Sequence, residues 1–331
     1  MNTKDNLTFE KFSKRHIEPA VKLALEELEN ERKYCPDLPT EDFSKRLSGM
    51  LHWLSGKPFG KAAIEDGKLV GYLIFAGPFD GFFGNVNGVF SPLGANAFSY
   101  EHQNRGRLAS MLLASIAEDF VKKGVSSCAL SRYAHDEEVA RSLVLCGFGI
   151  RCSDAVRNLS SLILTYRSDN VVFNELQANE FSRIRKLRLG LVKHLEGSPI
   201  FYPTDMKRFD EWFNKENLRV FVAESDGEII GFISTSDEAE NFITEHRTMK
   251  NICGAYFDEK YRGTGLAQSL LSFIVDTFKA EGITHLGVDC ETLNPTALNF
   301  WTKYFEEYTY SFARRIDERI IYNSENDTIS D

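Results

Sequence analysis

Residues 253–278, CGAYFDEKYRGTGLAQSLLSFIVDTF, read as an apolar strand, a charged turn, a loop with two glycines and an amphipathic helix. Leu266, Leu270, Leu271, Ile274, Val275 and Phe278 recur at spacings of three and four, which is one helical face. The first N–H groups of such a helix have no partner within it, and the helix dipole adds positive potential there. Gly263 and Gly265 let the preceding loop bring several amides against one phosphate, and Arg262 adds a charge-assisted contact. A pyrophosphate suits this arrangement. A dinucleotide-binding turn needs a third glycine in the first strand–helix unit of its domain. Arg-Gly-Thr-Gly-Leu-Ala lacks that glycine and lies mid-domain, and the Gly-Lys-Ser/Thr of a phosphate-binding P-loop is missing.

Outward from this stretch the chain repeats itself. AIEDGKLVGYLIF, containing Asp66 and Gly67, matches VAESDGEIIGFIS, containing Asp226 and Gly227. Each predicts strand, Asp-Gly turn, strand. Gly88-Val89-Phe90 answers Gly254-Ala255-Tyr256 as a further strand. Helices follow at 108–123 and 266–281, closed by Gly124 and Gly282 where a left-handed residue is wanted. Short strands at 127–130 and 285–290 come next, each before another helix. First strands are predicted at 7–12 and 171–176. Six matches in one order imply two copies of a mixed α/β plan, a central mixed sheet flanked by helices, divided near 166–170 into domains 1–167 and 168–331.

The 331 residues are 43% hydrophobic and 26% charged, as in a globular protein, and the net charge of −9 speaks against nucleic acid as a partner. The cluster Arg183, Arg185, Lys186 and Arg188 reads as the solvated face of a helix. Six cysteines form no CxxC pair, so no metal site is expected and the thiols read as reduced. No run approaches the ~20 apolar residues of a membrane span, and residues 1–10 show no signal-peptide pattern. A cytoplasmic protein without membrane or nucleic-acid partners is expected, and a homodimer is compatible with the sequence.

Arg262-Gly263-Thr264-Gly265-Leu266-Ala267 resembles the R/Q-x-x-G-x-G/A acetyl-CoA signature of the GNAT N-acetyltransferase superfamily. Asn294, Ala297, Phe300 and Trp301 resemble that superfamily's segment after the fifth strand, so the resemblance spans about 150 residues. It implies two tandem GNAT folds and, in the second, acetyl transfer from acetyl-CoA to an amine of a small molecule or peptide. The implied cofactor-binding residues are Ala255, Tyr256 and Phe257 on the fourth strand, Arg262, Gly263, Thr264, Gly265, Leu266 and Ala267 in the loop, and Asn294. The superfamily's acid tyrosine is replaced by Trp301. Tyr304, three residues on, is the candidate acid, with Tyr308 and Tyr310 in reserve. Glu245 and His246, just before the fourth strand, are the candidate bases. Cys290 reads as a buried thiol rather than a nucleophile.

The first half reads YEHQNRGRLASMLLASIAEDF at the corresponding place. Aligning Leu112-Leu113 with Leu270-Leu271 puts Arg107 on the second glycine and Asn104 on Arg262, and the connection is about eight residues longer. A degenerate copy is expected there, with His135 and Asp136 capping the helix that follows. Two other functions compete with catalysis: acyl-CoA binding or sensing without turnover, and a dimerising structural role with both sites dead.

Overall fold

A computed structural model describes residues 7–162, 170–197 and 205–321. The chain forms two compact units. One comprises Met1–Pro36, Thr40–Ser153 and Tyr308–Asp331, the other Asp37–Pro39 and Asp154–Glu307.

In the first unit the elements are β1 (Thr8–Lys11), α1 (Ile17–Glu31), α2 (Ser44–Leu54), β2 (Phe59–Glu65), β3 (Lys68–Phe79), β4 (Gly88–Ser91), β5 (Asn96–Phe98), α3 (Arg105–Lys122), β6 (Ser127–Tyr133) and α4 (Glu137–Leu145). β7 (Gly149–Asn158) passes into the second unit. That unit continues with β8 (Val172–Leu176), α5 (Arg185–Gly197), α6 (Met206–Trp212), β9 (Arg219–Ser225), β10 (Glu228–Ser236), β11 (Met249–Phe257), α7 (Leu266–Ala280), β12 (His285–Glu291) and α8 (Pro295–Trp301). β13 (Glu306–Arg315) returns the chain to the first unit. No helix among the described residues is long and apolar enough to cross a membrane.

The repeat holds element by element. Asp66-Gly67 and Asp226-Gly227 both have positive φ and close two-residue hairpins, Glu65 opposite Lys68 and Ser225 opposite Glu228. Both long helices end alike. Val125 N–H reaches Phe120 O and Gly124 N–H reaches Val121 O. In the second unit Ile283 reaches Phe278 and Gly282 reaches Lys279. These are Schellman closures around a left-handed glycine. The longer connection in the first half contains β5, which turns back to pair with β3.

Strand order in the first unit is β1-β2-β3-β4-β6-β13, and in the second β8-β9-β10-β11-β12-β7. Each unit has a parallel pair in this series, β4 with β6 and β11 with β12. The sixth place of each sheet is filled by a strand from the other half of the sequence. The expected boundary at 167/168 falls among residues 163–169, outside those described. The compact units divide at Asp154 and Tyr308 instead. Local pattern marks 306–315 as a strand but carries no information on its pairing partner, which is a non-local choice.

Each core lies between a sheet and its long helix. In the first unit Leu108, Leu112, Ile116 and Phe120 of α3 pack with Phe75, Val89 and Phe312. In the second, Leu270, Leu271, Ile274 and Phe278 of α7, all fully buried, meet Phe221, Ile233 and Val288. Burying each such side chain contributes roughly 1.5–3 kcal/mol. The opposite face of the second sheet is covered by α5 and α6, with Leu187, Leu191 and Trp212 against Val220, Val222 and Phe232.

Removing β13 leaves β6 with a row of unpaired backbone groups and takes Phe312 out of the core. A fragment of residues 1–167 should therefore show no cooperative thermal transition by circular dichroism. Appending residues 306–321 through a flexible linker should restore one. A cooperative, monomeric 1–167 fragment as stable as the whole chain would show that the first unit closes without β13.

Candidate active site

In the second unit β11 and β12 pair in parallel from Met249–His285 to Ile252–Val288. The paired ladder stops there, although β11 continues to Phe257 and β12 to Glu291. At the same point β11 carries a bulge: Ser234 faces Gly254 and Thr235 faces Ile252, so Cys253 is the extra residue. The resemblance puts the backbone contact at Ala255 to Phe257; the irregularity itself lies two residues earlier than Ala255. Cys253, Gly254, Ala255 and Tyr256 are all partly exposed, so β11 presents open backbone beyond the splay.

A cleft of about 600 Å³ runs from this splay to the amino end of α7. Its walls include Ala255, Tyr256, Phe257, Arg262, Gly263, Gly265, Ala267, Asn294 and Tyr304. The loop is built by short local bonds. Tyr261 N–H reaches Asp258 O at 2.9 Å, Arg262 N–H reaches Glu259 O at 3.1 Å, and the Thr264 hydroxyl donates to Tyr261 O at 2.6 Å. Gly263 and Gly265 have φ of +76° and +86°, and a Cβ on either would point into open space. Their requirement is thus backbone conformation. Gly265 is the N-cap of α7, and no side chain caps that helix end. Thr264 braces the loop and Leu266 packs on the core, so neither side chain lines the cleft.

Arg262 is held by its Nε donating to Phe257 O at 3.0 Å, with its guanidinium 5.0 Å from the Tyr256 ring centre. Tyr256 lies against α5 because position 190 is glycine; a Cβ there would sit 2.8 Å from the ring. Asn294 caps α8, its Oδ1 accepting from Ala297 N–H at 3.4 Å and the Thr296 hydroxyl at 2.9 Å.

A second cavity of about 200 Å³ adjoins the cleft, sharing Leu191, Ala255, Asn294, Ala297 and Trp301 with it. Arg188, Asp289 and Glu291 supply its charges. The protein around Asp289 pushes its carboxyl up from the usual aspartate value, opposed first by a backbone hydrogen bond and then by Lys215, although the residue is exposed. Glu240, in the loop after β10, is pushed up to about 8, first by surrounding protein and then by the charges of Asp289 and Asp154.

Several expectations are corrected here. Glu245 and His246 line neither space. His246 accepts from Thr248 N–H at 3.2 Å in the turn before β11, at the paired end of the strands. The splay opens at the carboxyl ends, about 3.3 Å further away per residue. Tyr308 and Tyr310 belong to β13: Tyr308 is fully buried and Tyr310 packs on the first unit's core. Trp301 is buried in the second unit's core. Tyr304 lies in the turn after α8 rather than along it, but its N–H bonds Trp301 O at 2.9 Å, which keeps it beside the cleft. Burial and neighbouring carboxylates raise the Cys290 thiol to about 12, in keeping with a structural thiol.

Arg188 and Asp289 were not singled out by sequence. Arg188 is 9% exposed and stacks on Trp212 at 4.5 Å, so it is no part of a solvated face. Arg185, by contrast, pairs at the surface with Asp210. The signal lay in spacing: Ile184, Leu187, Leu191 and Leu195 place Arg188 on the apolar stripe of the helix.

The first unit treats the same place differently. α3 begins at Arg105, so Arg107 lies inside its first turn rather than at a loop glycine. Asn104 accepts Arg107 N–H at 2.8 Å and Glu138 accepts Gly106 N–H at 3.0 Å, giving the helix end a carboxylate of the protein's own. Beneath it Arg105, Arg132, Glu27 and Asp136 form a buried ionic network. Asp136 also caps α4, as expected, and the two guanidiniums hold its carboxyl below the usual value against the effect of burial. His135 bonds Glu31 at 2.7 Å and stacks on Tyr34.

Residues 189–306 match the acetyltransferase (GNAT) family model, within the second unit and ending where the chain leaves it. Residues 189–306 are thus a GNAT-type segment of the chain. Its fold is similar to that of a GCN5-related N-acetyltransferase from Sphaerobacter thermophilus, with TM-score 0.61 and 12% identity over 93% of this chain and 95% of that one. A tandem GNAT protein from the clavulanic acid biosynthesis pathway aligns with TM-score 0.50 and 13% identity, over 94% and 98%. Comparison with curated proteins finds no sequence match. GNAT proteins are in general acyltransferases that use acetyl-CoA.

With its carboxyl raised, native Glu240 holds a proton that the unfolded chain has already released between the ordinary value of 4.5 and about 8. Stability should fall as pH climbs through that window. The melting temperature of the wild type should drop more from about pH 5 to about pH 8 than that of Glu240→Gln. Parallel curves would show that Glu240 titrates normally.

Proposed function

We propose that the second unit transfers an acetyl group from acetyl-CoA to the amine of a small molecule. One observation carries this reading: the glycine loop, the uncapped end of α7 and the splay of β11 from β12 all open on a single cleft. The residues present suit a pyrophosphate-bearing cofactor. Gly263 and Gly265 turn the loop toward α7 and leave open space where side chains would stand. Arg262 would add its positive charge and Tyr256 a flat wall. The cofactor, when bound, supplies the acyl group as a reactive thioester.

The chain's own groups then divide the proton work. The amine must lose a proton to attack, and Asp289 lines the cavity on the far side of the splay. A carboxyl raised above the usual value is a stronger base than an ordinary aspartate, and Asp289, exposed to the cavity, takes that role in place of Glu245 and His246. Tyr304, beside Phe300 on the cleft wall, has its hydroxyl raised by burial and so keeps its proton near neutral pH, available for the departing sulfur. Trp301 has no such proton.

Binding without turnover is the second reading, and the burial of Trp301 at the position of the superfamily's acid favours it. Assays of thiol release with a panel of amines separate the two.

Acetyl-CoA should raise the melting temperature of the whole protein, because it binds the folded state alone. Gly265→Arg should remove that shift, since it fills the loop and strains a position at φ +86°. An unchanged shift in the variant would move the cofactor site elsewhere.

Asp289→Asn and Tyr304→Phe should each lower turnover by ~100-fold or more while leaving the acetyl-CoA shift in place. In the wild type kcat/KM should rise with pH through the raised carboxyl of Asp289, a limb that Asp289→Asn abolishes. A loss of only two- or three-fold in Tyr304→Phe, with chemistry rate-limiting, would pass the acid's role to solvent.

A further inference from the structure

The smaller cavity has a charge pattern that the transfer reaction alone does not require. Arg188 lines its α5 wall, largely buried, with its guanidinium stacked on Trp212. Its β12 wall carries Asp289 and Glu291, and apolar atoms of Leu191, Leu195 and Ile252 lie between. A base for the amine accounts for Asp289, and Arg188 adds a charge of the other sign on the opposite wall. A cation set near the reacting amine opposes the approach of an ammonium ion, so it works against a substrate that carries positive charge alone. It favours one that also carries an anion, and a guanidinium fork matches a carboxylate in geometry as well as charge.

Stacking on Trp212 fixes where that charge stands, because a cation over an indole face gains electrostatic attraction and loses side-chain freedom. Arg188, Leu191 and Leu195 project from one face of α5 at spacings of three and four, so this helix supplies one wall of the cavity. The volume of about 200 Å³ admits a molecule of amino-acid size.

We propose that the acyl acceptor is a small zwitterionic amine, an amino acid or close relative, whose carboxylate is held by Arg188 while its amine faces Asp289. The inference rests on the transfer reading of the same site. Asp289 and Glu291 attract the ammonium, Arg188 orients the molecule, and Leu191, Leu195 and Ile252 receive its side chain. Simple diamines and polyamines, which have no group for Arg188, are poor acceptors.

The test uses the full-length protein and measures thiol release from acetyl-CoA with L-alanine, L-glutamate, L-lysine and L-phenylalanine, each against its primary amide, and with putrescine. At least one amino acid should exceed its amide by about tenfold or more in kcat/KM, the size of a charge-assisted hydrogen bond. Arg188→Gln should abolish that preference and Arg188→Lys should retain part of it. The coenzyme A melting shift of each variant shows that it is folded. Calorimetric titration of the same amino acids into coenzyme-A-loaded protein reads the site without turnover. Amides or putrescine matching the acids, or a preference that survives Arg188→Gln, overturns the inference and leaves acyl transfer standing. Amino acids that bind the wild type but not Arg188→Gln, without thiol release, keep the binding site and overturn the transfer reading. Neither binding nor turnover overturns both.

Discussion

Backbone N–H and C=O groups inside a protein must be paired, and a parallel sheet ordinarily does this along the full length of its strands. In the second unit the pairing of β11 with β12 reaches only as far as Ile252 and Val288. The glycine loop, Asp289 and Glu291 all lie beyond that point in their strands or after them. The bulge at Cys253 bends β11, the strand runs on to the glycine loop, and eight residues separate the strand's end from the start of α7. The fully buried Leu270, Leu271 and Ile274 seat α7 on the sheet, so its amino end is held where the splay opens. Core packing, backbone irregularity and an electropositive helix end thus meet in one place.

The two units show what that plan becomes when it does or does not remain open. Both have a parallel pair joined through a long helix with the same closure. In the first, the helix end is met by Asn104 and Glu138, and a network of two arginines and two acids fills the interior behind it. A buried charged network is weak evidence of net stability, but removing any one member leaves the others uncompensated. Glu27, Arg105, Arg132 and Asp136 are therefore constrained as a set. In the second unit the corresponding helix has no side-chain cap and its loop is glycine-rich. One helix terminus is satisfied from within, and the other is left with the geometry of an anion site.

Much of this was legible in sequence because the signals are local. Asp-Gly between alternating strands dictates a hairpin, and Gly263 and Gly265 before an apolar helical stripe dictate a left-handed loop at a helix end. The rest depended on distant partners. Nothing within 306–315 tells that strand to pair with Ser127–Tyr133. Glu245 and His246 are near β11 in sequence, yet they stand at its paired end. Arg188 was grouped with three neighbouring cations by proximity, although its spacing from Leu187 and Leu191 puts it on the buried stripe. Asp289 had no distinguishing neighbour at all; Leu286, Val288 and Cys290 alternate into the core, so the residues between them face the other side of the sheet.

Charge is graded along the space these elements enclose. The α7 end is positive through its amides, its dipole and Arg262. Past the splay the sign reverses at Asp289 and Glu291, with Glu240 and Asp154 behind. A cofactor phosphate and an ammonium ion would each be drawn to its own end, and the reacting atoms would meet between them. Concentrated acidity has a second effect. Protein packed around Glu240 makes its ionisation harder, and the charges of Asp289 and Asp154 add to this. Lys215 opposes the trend at Asp289, so a base there is tuned by both signs of charge. A single cation on the facing wall, Arg188, breaks the acidic pattern and gives the cavity a direction. An acceptor with a charge of each sign has one favourable orientation in such a field, with its amine turned toward the carboxylates.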